Sequence, residues 1–72
     1  MKSFDGVELQ TRFTYHAPHD DQPERYQEIR DRAQTLAARI VELTPASREQ
    51  SLAVTALEEC VMWANAAIAR RE

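Results

Sequence analysis

Among the side chains able to do chemistry in this sequence, the arginines are the most informative. Eight of the nine basic residues are arginine. Its planar fork binds phosphate or carboxylate bidentately, although a GC-rich coding sequence produces the same bias. Checking each arginine against its helical neighbours separates them. Arg32 has Glu28 four residues before it, Arg25 has Glu28 three after it, and Arg39 has Glu42 three after it. These are ordinary surface pairs, each contributing roughly 0.2–0.5 kcal/mol. Arg30 has Tyr26, Gln27, Ala33 and Gln34 at the corresponding positions and therefore no acidic neighbour within its helix. Arg70 and Arg71 are also unmatched, but a helix C-terminus favours cations whether or not a ligand is present. Arg12 lies beside an aromatic stretch, Phe13-Thr14-Tyr15-His16. An unmatched helical arginine near such a stretch has the chemistry of a nucleotide site, in which a ring stacks on a base and a guanidinium meets a phosphate.

Other chemistries are less well served. His16, His19, Asp20 and Asp21 are close in sequence, but a zinc site needs about four converging ligands. Here the two histidines flank Pro18, and Asp21 is better used as a helix cap. Cys60 falls mid-helix on an apolar stripe, where a cysteine is usually a small hydrophobe with an unactivated thiol. Ser47 and Ser51 are a cap and a first-turn residue. Glu58 and Glu59, being adjacent, point in different directions and make no acid/base pair. Gly6 is the only glycine, so no glycine-rich phosphate loop exists. No catalytic residue, metal or cofactor is expected, and the chain reads as a binding protein rather than an enzyme.

The elements that must position these residues follow from size and periodicity. A chain of 72 residues is one domain at most, below the ~80 residues at which a core becomes comfortable without a staple. A lone cysteine cannot form an intrachain disulfide. With no signal-peptide pattern and no long apolar run, the expectation is a soluble protein of the reducing cytoplasm, without membrane association. The net charge of −3 disfavours a long nucleic acid, whose binding scales with cationic contacts. A small anion needs only a few well-placed cations.

Residues 1–21 read as an N-terminal arm, extended around Phe13-Thr14-Tyr15-His16 with both aromatics on one side. Helix one is expected over residues 22–44. Asp21 would be its N-cap, Glu24 would complete a capping box, and Pro23 sits harmlessly in the first turn. Tyr26, Ile29, Ala33, Leu36, Ile40 and Leu43 form its apolar seam, and Pro45 ends it. Helix two is expected over residues 47–71, opened by a second capping box at Ser47-Arg48-Glu49-Gln50. The turn before it is short enough to force an antiparallel hairpin. Helix two carries two seams: Val54, Leu57, Val61, Ala64 and Ile68, and one position back Ala53, Ala56, Cys60, Trp63 and Ala67. One neighbouring helix covers only one of them. Either the arm folds over the second, or another subunit does. The fold class is thus all-α: a two-helix hairpin with an extended N-terminal arm, assembled into a homo-oligomer.

Four segments carry a resemblance: Phe13-Thr14-Tyr15-His16-Ala17-Pro18, Gln22-Pro23-Glu24-Arg25-Tyr26, Ser47-Arg48-Glu49-Gln50-Ser51-Leu52-Ala53, and the run Val61-Met62-Trp63-Ala64-Asn65-Ala66-Ala67-Ile68-Ala69-Arg70. Over residues 13–71 the chain resembles the anti-CBASS hairpin family of phage sponges, which sequester the cyclic-oligonucleotide messengers of bacterial CBASS immunity. The resemblance implies a cytoplasmic homohexamer, a trimer of dimers, in the infected host. Such proteins bind cyclic dinucleotides at subunit interfaces without cleaving them, and some hold cyclic trinucleotides in separate pockets. By position it implies Tyr15 as the stacking residue and Arg30 as the phosphate ligand, with His16 and Arg25 as further contacts. Arg70 and Arg71 are assigned to the trinucleotide pocket. Lysine is usual in the family where Arg30 stands, so charge is kept while reach changes. The reading from another class is a structural or regulatory hairpin that binds a host protein through its second seam.

Overall fold

The computed structural model describes residues 4–72. It contains three helices, α1 (Gly6–Phe13), α2 (Gln22–Leu43) and α3 (Arg48–Arg71), and no strand among the described residues. α2 and α3 pack against each other as an antiparallel hairpin. The Gln22 side chain, at the start of α2, donates to the Ile68 carbonyl and to Glu72 at the far end of α3.

The hairpin turn is built from local polar bonds. Thr44, before Pro45, has φ −125° and ψ 152°, the extended conformation that a following proline imposes. Ser47 accepts from the Gln50 backbone N–H at 3.1 Å. The Gln50 side chain does not return to close the expected capping box. It donates instead to the Val41 and Thr44 carbonyls and to Thr44 Oγ1, satisfying acceptors left open at the end of α2. The start of α2 departs further from expectation. Asp21 occupies the N-cap position but makes no side-chain cap bond, and its carboxylate lies 3.2 Å from Arg25. Gln22 instead closes the loop that precedes the helix: its Oε1 accepts from the His19 N–H, and its own N–H donates to the His19 carbonyl. Asp20 turns the chain into the helix with φ 53°, a left-handed conformation that Asp tolerates better than most residues.

The seams pair as the periodicity requires, with one correction in α2. Val54, Leu57, Val61, Ala64 and Ile68 of α3 are half-buried, facing Tyr26, Ile29, Ala33, Ala37 and Ile40 of α2. Leu36 and Leu43, placed by sequence in that seam, are exposed. The small Ala37 takes the inner position, half-buried beside Val54, Leu57 and Val61.

The arm is not wholly extended. Residues 6–13 form α1, and only from Thr14 (φ −105°, ψ 141°) is the backbone extended. Gly6, Val7 and Thr11 are poor helix formers, yet Asp5 caps the helix by accepting from the Glu8 N–H at 2.8 Å. Glu8 in the first turn and Arg12 in the last complement the dipole.

Within one chain this fold covers little of its apolar surface. No apolar residue is buried among those described, and Gln22, at 2% relative exposure, is the one buried side chain. The accessible surface is 5885 Å², against about 4,600 Å² for a compact monomer of this mass. The radius of gyration is 15.8 Å, against about 11 Å for a compact chain of this length. The expectation of no long apolar run also needs correction. By length and composition alone α3 is apolar enough to cross a membrane, with a mean hydropathy of 1.3 over its most apolar window. That hydropathy comes from the two seams together.

Candidate ligand-binding site

A cavity of about 530 Å³ opens where the arm meets the hairpin. The arm contributes Arg12, Thr14, Tyr15, His16 and Pro18, α2 contributes Tyr26 and Arg30, and α3 contributes Met62, Asn65, Ala66, Ala69 and Arg70. Each set shares a face by helical spacing. Tyr26 and Arg30 are one turn apart, and Met62, Asn65, Ala66, Ala69 and Arg70 form one stripe of α3.

The electrostatics of this cavity run against those of the whole chain. The chain carries −3, yet three arginines and no acidic residue line the space. Arg30 has no carboxylate partner among the described residues. Its guanidinium carbon lies 6.0 Å from the centroid of the Tyr26 ring, at the outer limit of a cation–π contact, leaving its N–H groups for an acceptor. Arg70 likewise has no acidic partner among the described residues. Arg12 lies over the Phe4 ring at 4.7 Å, and its Nε is 3.7 Å from Glu8.

Tyr15 is 83% exposed at the cavity's mouth. A ring left that open contributes little to a core and offers a face for stacking. His16 is half-buried, and its Nε2 lies 2.7 Å from the Thr11 carbonyl. A carbonyl only accepts, so Nε2 is the protonated nitrogen. That bond fixes the ring against the end of α1.

Tyr15, His16, Arg30 and Arg70 therefore share one cavity. Arg25 lies elsewhere. Its Nη1 donates to Glu72 Oε2 at 2.7 Å and its Nη2 to Glu72 Oε1, clamping the open end of the hairpin. The pairing holds the Glu72 carboxyl down to about 2, chiefly through the Arg25 hydrogen bonds and then that from Gln22, and raises the Arg25 guanidinium. Arg71 lines a neighbouring cavity of about 470 Å³ with Arg12, Phe13, Trp63, Ala66, Ala67 and Arg70. It is bound to Glu8, at 2.8 Å to Oε1, and that hydrogen bond is the first cause of a lowered Glu8 carboxyl. The residues that sequence reasoning missed are Thr14, Tyr26, Met62 and Asn65. For Met62 and Asn65 the signal was available, since with Ala66, Ala69 and Arg70 they follow a three-and-four spacing along α3 that neither seam uses. Asn65 Oδ1 is buried with no hydrogen-bond partner.

A family model for the Acb2/Tad1 hairpin domain matches residues 5–69. The chain belongs to the Acb2/Tad1 hairpin family, the anti-CBASS sponges. No curated protein and no solved structure matches it. The family match extends through α1, further toward the N-terminus than the motifs had indicated. It is a family of binding sponges rather than enzymes, associated with sequestering cyclic oligonucleotides and with oligomerisation. A cavity rich in arginine and tyrosine suits that role, because a sponge needs donors and stacking faces but no acid/base pair.

Proposed function

We propose that this protein is a phage sponge that binds cyclic dinucleotides in the cavity between the arm and the hairpin and retains them intact, in the cytoplasm of an infected bacterium. Tyr15 stacks on a base, Arg30 meets a phosphate with Arg70 and Arg12 beside it, and His16 lines the wall. The observation that carries this reading is the cavity's composition: three arginines, two tyrosines and no acid, on a chain of net charge −3. A volume of about 530 Å³ lies within the roughly 300–1,000 Å³ of small-molecule sites. The neighbouring cavity beside Trp63 is the candidate for a cyclic trinucleotide, with Arg70 at its wall. Arg25 acts in the fold rather than on the ligand.

The working unit is a homo-oligomer, read as a hexamer built as a trimer of dimers. Its support is the exposed stripe of α3, with Trp63 62% exposed, together with the absence of a buried apolar residue among those described. Suppression of CBASS signalling then follows from mass action: a protein made in excess and binding more tightly than the effector lowers the free messenger. The same exposed stripe supports the second reading, in which a host protein covers it. Sedimentation separates the two, since self-assembly of the purified chain leaves no free stripe for a host partner.

The binding reading is tested by a thermal-shift screen against cyclic dinucleotides and trinucleotides, followed by denaturation and chromatography of the nucleotide. The expected result is a melting temperature that rises with ligand concentration as ln(1 + [L]/Kd), with the ligand recovered unchanged. Absence of any shift across the screen contradicts binding, and time-dependent linear product contradicts sequestration in favour of hydrolysis.

A further inference from the structure

α1 buries none of its residues, so apolar packing does not fix its place. Charge does. Arg71 Nη2, in the last turn of α3, donates to both carboxylate oxygens of Glu8, at 2.8 and 3.2 Å. At the other end of α1, the His16 ring is tied to the Thr11 carbonyl. A chain of polar links therefore runs from the end of α3, through Glu8 and the body of α1, to the arm residues that line the cavity. The same last turn of α3 carries Arg70, which lines that cavity from the other side.

We infer that Glu8 is a positioning residue: its ion pair with Arg71 docks α1 on α3 and so sets Tyr15 and Arg12 opposite Arg30 and Arg70. The inference rests on the binding reading above. It also reassigns Arg71 from ligand contact to docking partner. Charge alone and docking predict opposite signs for the loss of Glu8. By charge, removing a carboxylate beside a cationic cavity tightens the binding of an anion. By docking, α1 spends part of its time away from α3, and affinity falls with the fraction of molecules still assembled for binding. For an exposed pair the expected loss is about two- to fivefold.

The test is titration calorimetry of the full chain against a panel of cyclic dinucleotides containing guanine, adenine and uracil. The tightest binder of the wild type is then titrated into Glu8→Gln, Arg71→Gln, the double variant and Arg71→Lys. Each glutamine variant should bind about two- to fivefold more weakly, the double variant should be no weaker than the worse single, and Arg71→Lys should retain most of the affinity. Sedimentation should match the wild type, because the hairpin seams are untouched, and melting should fall only slightly, by the loss of one exposed ion pair. Wild-type affinity or tighter binding in Glu8→Gln overturns the inference and leaves the binding reading standing. A loss in Arg71→Gln far exceeding that in Glu8→Gln, and additive in the double variant, overturns it in favour of Arg71 as a ligand contact. A wild type that binds no member of the panel overturns the binding reading, and this inference with it.

Discussion

Val54, Leu57, Val61, Ala64 and Ile68 lie half-buried against α2, whereas Ala53, Ala56, Cys60, Trp63 and Ala67, each one residue earlier in α3, are exposed. The two stripes occupy one helix and differ in what faces them. Val, Leu and Ile, with the single Ala64, form the stripe that meets α2, where branched side chains fill most of the groove between two helices. The other is mostly alanine, with Cys60 and Trp63, and the arm reaches only its far end, where Arg12 and Phe13 border the cavity beside Trp63. A hairpin has one partner helix to offer, so a second apolar stripe marks surface that the chain alone does not cover. Its exposure contributes to the surface excess over a compact monomer.

The strongest way to break this comparison is to charge the exposed stripe. Trp63→Glu removes the weak hydrogen bond from the indole to Glu59 Oε1 (3.2 Å) and, in a lone hairpin, leaves stability nearly unchanged. In an oligomer it buries an unpaired carboxylate, at a cost of about 3–5 kcal/mol per site. The expected outcome by sedimentation is collapse to smaller species with a lower melting temperature, and Ala56→Glu should do the same. An unchanged sedimentation profile, or a wild type that runs as a monomer at micromolar concentration, would place the second stripe in solvent.

A smaller effect separates the cavity from both stripes. Arg30→Ala should weaken cyclic dinucleotide binding by roughly 1.5–3 kcal/mol, the range of a charge-assisted hydrogen bond, with assembly intact. Arg30→Lys should recover part of that loss. Calorimetry and sedimentation on the same samples provide the check. A binding loss that appears only when the oligomer falls apart would make Arg30 an assembly residue.

The open end of the hairpin responds to acid. Glu72 is held at about 2 against its ordinary 4.5, so its folded-state value is depressed. Its contribution is complete above pH 4.5 and is lost as the pH falls from there toward about 2. Glu8, lowered by Arg71, acts in the same direction. The melting temperature of the wild type should therefore decline over that interval. Glu72→Gln should start lower and decline less, as measured by circular dichroism melts at stepped pH. An equal acid slope in both proteins would show that the clamp to Arg25 is not a source of the pH dependence.

Much of this architecture was legible in the sequence. Pro45, Ser47 and the three-and-four spacing give the hairpin, and the doubled stripe of α3 gives its incompleteness. Three features were not. α1 was missed because Gly6, Val7 and Thr11 argue against a helix, although Asp5 followed by Glu8 was a capping signal. The Ala37 register in α2 was missed because Leu36 is the larger hydrophobe, and the smaller neighbour is the one that faces α3. Within the cavity, the lack of an acidic neighbour singled out Arg30, whereas only the family resemblance separated Tyr15 from Phe13 in the aromatic stretch. The pairings of Arg25 with Glu72 and of Arg71 with Glu8 could not be read, because these partners lie 47 and 63 residues away in sequence. Helical spacing rules reach three or four residues, and these pairs exist only once the chain is folded.

The most direct test of the central claim is calorimetry of Tyr15→Ala beside the wild type, with Tyr15→Phe as control and sedimentation of all three. Tyr15 is open at the mouth of the cavity and outside both stripes. Removing its ring should therefore cost about 1–3 kcal/mol of cyclic dinucleotide binding, the value of one stacked base, while the oligomer persists. Tyr15→Phe, which keeps the ring face, should lose much less. Undiminished affinity in an intact Tyr15→Ala oligomer would contradict the site, and a ligand-free drop in melting temperature with disturbed assembly would show Tyr15 to be a structural residue instead.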